Sequence, residues 1–188
     1  MENPLEAVQN SLDTRTLHRY LATITLVSTY ILMLLGAYTS AIGAGLSCPD
    51  WPTCYGTWIP FLSPGVVANS PYSALQIFAE WAHRGLAMIV GLLILGTVVT
   101  AWYGQRDRPL IVWSAVLAIA LLPVQVLLGG LTVTAQLQPV VVTSHLGVAI
   151  LILVSLTVTA FVAWIDRRIT PVENTVSTRS EGTRRDCD

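Results

Sequence analysis

The sequence has no lysine; all ten of its basic residues are arginine. Charge of either sign is scarce, at 11% of 188 residues, where an ordinary soluble domain carries about a quarter. That scarcity excludes a soluble globular domain. The 53% hydrophobic content excludes a disordered chain. A formal net charge of −1 offers no footprint for a polyanion, so nucleic acid is excluded as a partner. What the sequence does have is apolar mass enough for several membrane crossings, each needing about 20 apolar residues.

The few charges partition the chain. No charge lies between Arg19 and Asp50, between Arg84 and Arg106, or from Leu110 to Ile165. The last run is too long for one crossing and must turn back. Its polar break, Ala135-Gln136-Leu137-Gln138-Pro139, is where a proline ends helix propagation. In lipid every backbone group must be satisfied within the segment, so these runs are helices. The expectation is an all-α integral membrane protein: an up-down bundle of four helices at about 20–42, 77–102, 109–134 and 140–165. An N-terminal segment 1–19, a loop 43–76 and a flexible polar tail 166–188 complete the chain. The first apolar run is longer than a signal-peptide core, so helix 1 is expected to be retained.

Arginine placement sets the expected orientation. Arg15 and Arg19 precede helix 1, Arg106 and Arg108 separate helices 2 and 3, and Arg167, Arg168, Arg179, Arg184 and Arg185 follow helix 4. Loop 43–76 and turn 135–139 have no Lys or Arg. The positive-inside rule then puts both termini in the cytoplasm, in a multi-pass protein of the cell membrane, with loop 43–76 outside. From 51 to 79 that loop is uncharged but carries Trp51, Tyr55, Trp58, Phe61 and Tyr72 among four prolines. It reads equally as an interfacial aromatic belt and as a lid over a site at the outer end.

Ionisable groups at membrane depth are costly and point to function. Glu80, His83 and Arg84 open helix 2 at spacings that let them share a face. His145 opens helix 4. Each histidine lies about five residues, or roughly 7–8 Å, into its helix. Helices 2 and 4 are diagonal in an up-down bundle, so the two imidazoles face each other across the core, placed for axial ligation of a haem iron. Small residues (Gly36, Ser40 and Gly43; Ala87 and Gly91; Gln125, Gly129 and Gly130) are compatible with room for a macrocycle and equally with close helix packing. His18 reads as interfacial.

Cys48 and Cys54 flank Pro-Asp-Trp-Pro-Thr on the expected oxidising side. They can close a small disulfide ring or stand as thiols that exchange with an external dithiol. The disulfide is the expectation adopted, with the ring shaping the lid or accepting electrons. Cys187, in the tail, reads as inert.

Four strings resemble the haem A synthase family: GAYTSAIGAGLSCPDWPTCYG at 36–56, EWAHRGLA at 80–87, QVLLGGLTV at 125–133 and TSHLGV at 143–148. The resemblance implies an oxidoreductase that converts the C8 methyl of haem O to a formyl group through a hydroxymethyl intermediate, supplying haem A to terminal oxidases. It implies His83 and His145 as haem axial ligands and Glu80 as a catalytic carboxylate beside the reacting methyl. Arg84 becomes a contact for a haem propionate or the residue that keeps Glu80 ionised, and Cys48/Cys54 the loop cysteine pair. Usual members have eight helices in two halves, one for haem O as substrate and one for haem b (protohaem) as cofactor. Four helices resemble the half-size archaeal type, which makes a homo-oligomer an expected partner, alongside a haem O synthase, a respiratory electron acceptor and the lipid bilayer. Two other readings stand beside this one. A b-type cytochrome subunit that only carries electrons explains the histidines but not Glu80 or the cysteines. A non-haem assembly factor would use the histidines as structural glue.

Overall fold

The computed structural model describes residues 4–63 and 65–185, with side chains placed within 13–63 and 65–165. It holds four long helices, α1 (Pro4–Ala41), α2 (Ala74–Gly104), α3 (Pro109–Thr134) and α4 (Pro139–Arg185). Each contains a stretch long and apolar enough to cross a membrane. The protein is a multi-pass, all-helical membrane protein. No β-strand occurs among the described residues, only a single bridge between Cys54 and Thr57.

Two boundaries depart from the sequence expectation. Helix α1 begins at Pro4 rather than near 20; a proline fits the first turn, and Leu5, Glu6 and Ala7 behind it are good helix formers. The polar tail, expected to be structureless, continues α4 to Arg185. Adding a residue to an existing helix fixes one residue for one hydrogen bond, so a long helix extends where an isolated one would not nucleate. Cys187 and residues 186–188 lie outside the described residues.

The helices pack as two hairpins. α1 lies mainly on α2, and α3 on α4; the α1–α4 and α2–α3 contacts are thinner, and among the described residues the diagonal pairs make no close backbone approach. Within lipid, apolar burial does not drive helices together, so packing and hydrogen bonds hold each hairpin. Thr25 and Thr97 hydroxyls join α1 to α2 at 2.9 Å, and those of Ser114 and Thr159 join α3 to α4 at 2.8 Å. The Trp164 indole donates to Thr23 across the α4–α1 seam at 2.9 Å. An apolar cluster of Val90, Ile94, Ala118, Ile152 and Leu156, with Leu26 and Leu32 against it, fills the middle of the bundle. The interior above it, at the end carrying loop 42–73, holds Glu80, His83, Arg84 and His145.

α1 and α3 end alike. The Ala44 amide donates to the Thr39 carbonyl and the Gly43 amide to that of Ser40. The Leu137 amide donates to the Thr132 carbonyl and the Gln136 amide to that of Val133. Both are Schellman caps, with Gly43 (φ +68°) and Gln136 (φ +52°) in the left-handed region. Gly43 is therefore a helix stop.

Candidate functional site

His83 stands in the third turn of α2 and His145 in the second turn of α4. Each ring rests against a glycine of the other helix in its own hairpin. A Cβ on Gly36 would lie 2.8 Å from His83 Cε1, and one on Gly129 would lie 3.2 Å from His145 Cε1. Three residues beyond each glycine a threonine hydroxyl donates to the glycine's carbonyl, Thr39 to Gly36 and Thr132 to Gly129, both at 2.7 Å. Nδ1 of both rings is buried without a hydrogen bond of ordinary geometry.

Glu80, only 7% exposed, lies one turn before His83. The Arg84 Nε–H donates to its Oε1 at 2.9 Å. Arg84 spends the rest of its fork on loop carbonyls: Nη1 donates to Asp50 at 2.6 Å and Thr53 at 2.7 Å, and Nη2 to Cys48 at 2.9 Å. Four of the five N–H groups of a guanidinium are thus committed. The sequence reading left Arg84 between a haem propionate and keeping Glu80 ionised. The structure ties it to Glu80 and to the ring between the cysteines.

That ring is closed by the Cys48–Cys54 disulfide, with Cα atoms 4.7 Å apart. Asp50 sits inside it and accepts from the Thr53 hydroxyl and from the backbone N–H groups of Tyr55 (2.6 Å) and Gly56 (3.0 Å). Partial burial would raise its pKa, but these donors outweigh burial and hold the carboxyl below its usual range. Tyr55 and Gly56, both at positive φ, form the tight turn between the bridged Cys54 and Thr57. The two half-cystines pack in a small core with Ile77, Tyr55, Val67, Tyr72 and Trp81. The Trp81 indole donates to the Trp58 carbonyl at 2.7 Å, and Phe61 packs edge-on to Trp81. The loop is a folded cap on the bundle, although Trp51, Trp58 and Phe61 remain partly exposed as an aromatic rim. Trp51 reaches the second hairpin, where its ring sits 3.2 Å from where a Gly130 Cβ would be.

Sequence reasoning missed Asp50, and it named the glycines and Gln125 as room for a macrocycle without seeing that they meet the histidines. Asp50 as organiser was signalled by a threonine three residues on, inside the cysteine ring. The glycine seats were signalled by Gly-x-x-Thr occurring at 36–39 and again at 129–132. Gln125, its Nε2 3.4 Å from His145 Nε2, carried no signal beyond being polar at membrane depth. His18, expected at the interface, is fully buried at the opposite end of the bundle with Nδ1 2.9 Å from the Thr100 hydroxyl.

Two imidazoles on opposite sides of one interior, each backed by a glycine where a side chain would crowd it, fit the two axial bonds of a haem iron. No group of three or more His, Cys, Asp or Glu suited to a bare metal ion occurs among the described residues. A family model described as cytochrome oxidase assembly protein, COX15-CtaA, matches residues 19–185. The chain belongs to the COX15-CtaA family. Among its relatives, a protohaem IX farnesyltransferase of Halobacterium salinarum is 34% identical over 135 residues, covering 72% of this chain and 27% of that protein. A haem A synthase of Shewanella oneidensis is 38% identical over 135 residues, covering 68% and 40%. One of Bacillus pumilus is 27% identical over 137 residues, covering 71% and 40%. The chain thus spans two-fifths or less of the length of these curated relatives. No solved structure matches it.

Proposed function

We propose that this chain is a haem A synthase, an oxidoreductase that converts the C8 methyl of haem O to a formyl group. His83 and His145 bind the iron, and Glu80 faces the methyl. The reading rests on one observation: Glu80, one turn from a ligand histidine, is held by the same arginine that holds the disulfide-closed cap. An electron carrier has no use for that arrangement.

Two oxidations are required. Each removes two electrons and one methyl hydrogen and adds a hydroxyl from water, giving first the hydroxymethyl group and then a geminal diol. The diol loses water to leave the aldehyde. A respiratory acceptor takes the electrons. Positive charge grows on the carbon as electrons leave, and a carboxylate fixed in a water-poor pocket stabilises it and orients the attacking water. The Arg84 N–H fixes the Glu80 oxygen it touches, leaving the other to the substrate side. The folded cap excludes bulk water.

Haem b, the expected resident cofactor, would supply the route by which electrons leave. A second copy of this bundle would bring a second histidine pair, and a homo-oligomer is part of the proposal. The similarity to part of archaeal protohaem farnesyltransferases supports a haem O synthase as supplier of the substrate. The arginine distribution supports a cap facing outward and cytoplasmic termini.

The test is co-expression with a haem O supply, followed by chromatography of the extracted haems. Haem A, absent when the chain is omitted, is the expected result. Purified protein that carries haem but yields no haem A would return the chain to the electron-carrier reading.

A further inference from the structure

Beside His145 lies a polar group that the proposed chemistry does not use. Gln125 stands one turn before Gly129 on α3, and both face the His145 ring. Its Nε2 approaches His145 Nε2 at 3.4 Å. Its other end, Oε1, is buried and has no hydrogen-bond partner. The matching residue of the first hairpin, one turn before Gly36, is Leu32. Buried acceptors are almost always satisfied. One left over inside a ligand chamber marks where the ligand brings a donor.

An iron atom on His145 Nε2 removes that atom from Gln125, freeing the whole amide to turn toward the bound ring. Haem O and protohaem share two propionates, which are acceptors when ionised and cannot satisfy Oε1. They differ in one polar group: haem O bears a hydroxyl on the carbon joining its farnesyl chain to the ring, where protohaem has a vinyl. The pyrrole carrying that carbon neighbours the one carrying the C8 methyl, so hydroxyl and methyl share one edge of the macrocycle. Gln125 and Glu80 stand on the neighbouring helices α3 and α2.

We propose that Gln125 is the specificity-determining residue that accepts the hydrogen bond of the haem O hydroxyl through Oε1, selecting haem O over protohaem. This deepens the haem A synthase reading and rests on it. Reading a hydroxyl with a buried partner discriminates more sharply than reading chain length, because the analogue without it strands the amide.

The experiment titrates the haem-free protein in detergent with haem O, protohaem and haematohaem, which has hydroxyethyl groups and no farnesyl chain. The Soret band is followed. Haematohaem is expected to bind about tenfold tighter than protohaem, the scale of one buried acceptor left unmet. Gln125→Met should erase that preference while keeping a low-spin bis-histidine spectrum. Gln125→Glu keeps an acceptor and should keep the preference. Gly129→Ala, which disturbs the His145 seat alone, should weaken all three haems by the same factor. Should Gln125→Met fail to load haem, Gln125→Glu decides: preference kept supports the proposal, and preference lost overturns it. Wild-type protein indifferent to the hydroxyl, or Gln125→Met weakening every haem equally, overturns the assignment and leaves the haem A synthase reading intact. Wild-type protein that binds no haem at all overturns that reading instead.

Discussion

The two hairpins hold their histidines by one device and then part company. Gly36 and Thr39 in the first correspond to Gly129 and Thr132 in the second, down to the 2.7 Å hydroxyl–carbonyl bond and the Schellman cap that follows. Around the histidines the likeness stops. The first hairpin reads Glu80, His83, Arg84; the same spacing in the second reads Val142, His145, Leu146. The first is joined by a disulfide-closed cap, the second by the turn 135–138. Under the proposed function, the shared part is what holding a flat ligand requires. The unshared part, a buried carboxylate with its arginine and cap, lies on one side, and under the same proposal it is what the chemistry requires.

The sharpest way to break this division is at Arg84. Arg84→Met strands a carboxylate that is 9% exposed and releases three loop carbonyls; removing one partner of a buried pair costs about 3–5 kcal/mol. Thermal unfolding should drop accordingly, and Glu80→Gln in the same chain should restore part of the loss. Leu146→Met, its counterpart, should do almost nothing. If the two behaved alike, the arginine would not be the strut described. Next comes Glu80→Gln alone. It should leave haem content and spectrum intact and cut haem A formation by about 10²–10³-fold, as loss of one preorganised electrostatic group does. Full activity in that variant would reduce the first hairpin to a second holder.

The cysteines follow. Closing a ring of this size is worth about 2 kcal/mol in the chain-entropy model. Here Asp50 and Arg84 hold the same ring by four further hydrogen bonds, and two more tie Asp50 to the turn that follows it. Cys48→Ser/Cys54→Ser should therefore insert and bind haem, with activity falling more than haem content. Mass spectrometry with and without reductant should show the pair linked in the wild-type protein. Collapse of the double variant would make the bond a structural necessity.

How far the sequence carried this comparison depended on the kind of signal. Uncharged runs broken by arginines and Pro139 located all four crossings, because burial of charge in lipid is so costly that little else decides. Helix α3 fell at 109–134 as read, since Pro109 and the Ala135–Gln138 break bound it on both sides. The ends of α1 and α4 did not, because polar helix extensions outside lipid leave no hydropathy mark. Glu80, His83 and His145 were legible as ionisable groups where none should be. What Arg84 touches was not, since its partners are backbone carbonyls, which every residue has. The glycines were legible as small but not as seats for imidazoles; only a fold that sets Gly36 beside His83 distinguishes that from ordinary packing.

The smallest effects should come from those seats, and they test the shared half of the comparison directly. If both glycines exist to make room for a ring, an added methyl must push the ring, and the push should scale with how little room there is. At Gly36 the new Cβ would meet His83 at 2.8 Å, closer than side-chain carbons tolerate; at Gly129 it would meet His145 at 3.2 Å, a contact that a few tenths of an ångström relieves. Overpacking of this kind costs about 1–3 kcal/mol. Gly36→Ala should fall within that range and lower haem occupancy clearly, with a shifted low-spin signal as the His83 bond tilts. Gly129→Ala should fall at or below the lower limit and leave nearly full occupancy. Haem-to-protein ratio and the electron paramagnetic spectrum of the oxidised protein measure both. An equal and large loss at the two sites would mean that the glycines serve backbone packing rather than the histidines. Neither substitution changing the spectrum would remove the seats from the account altogether.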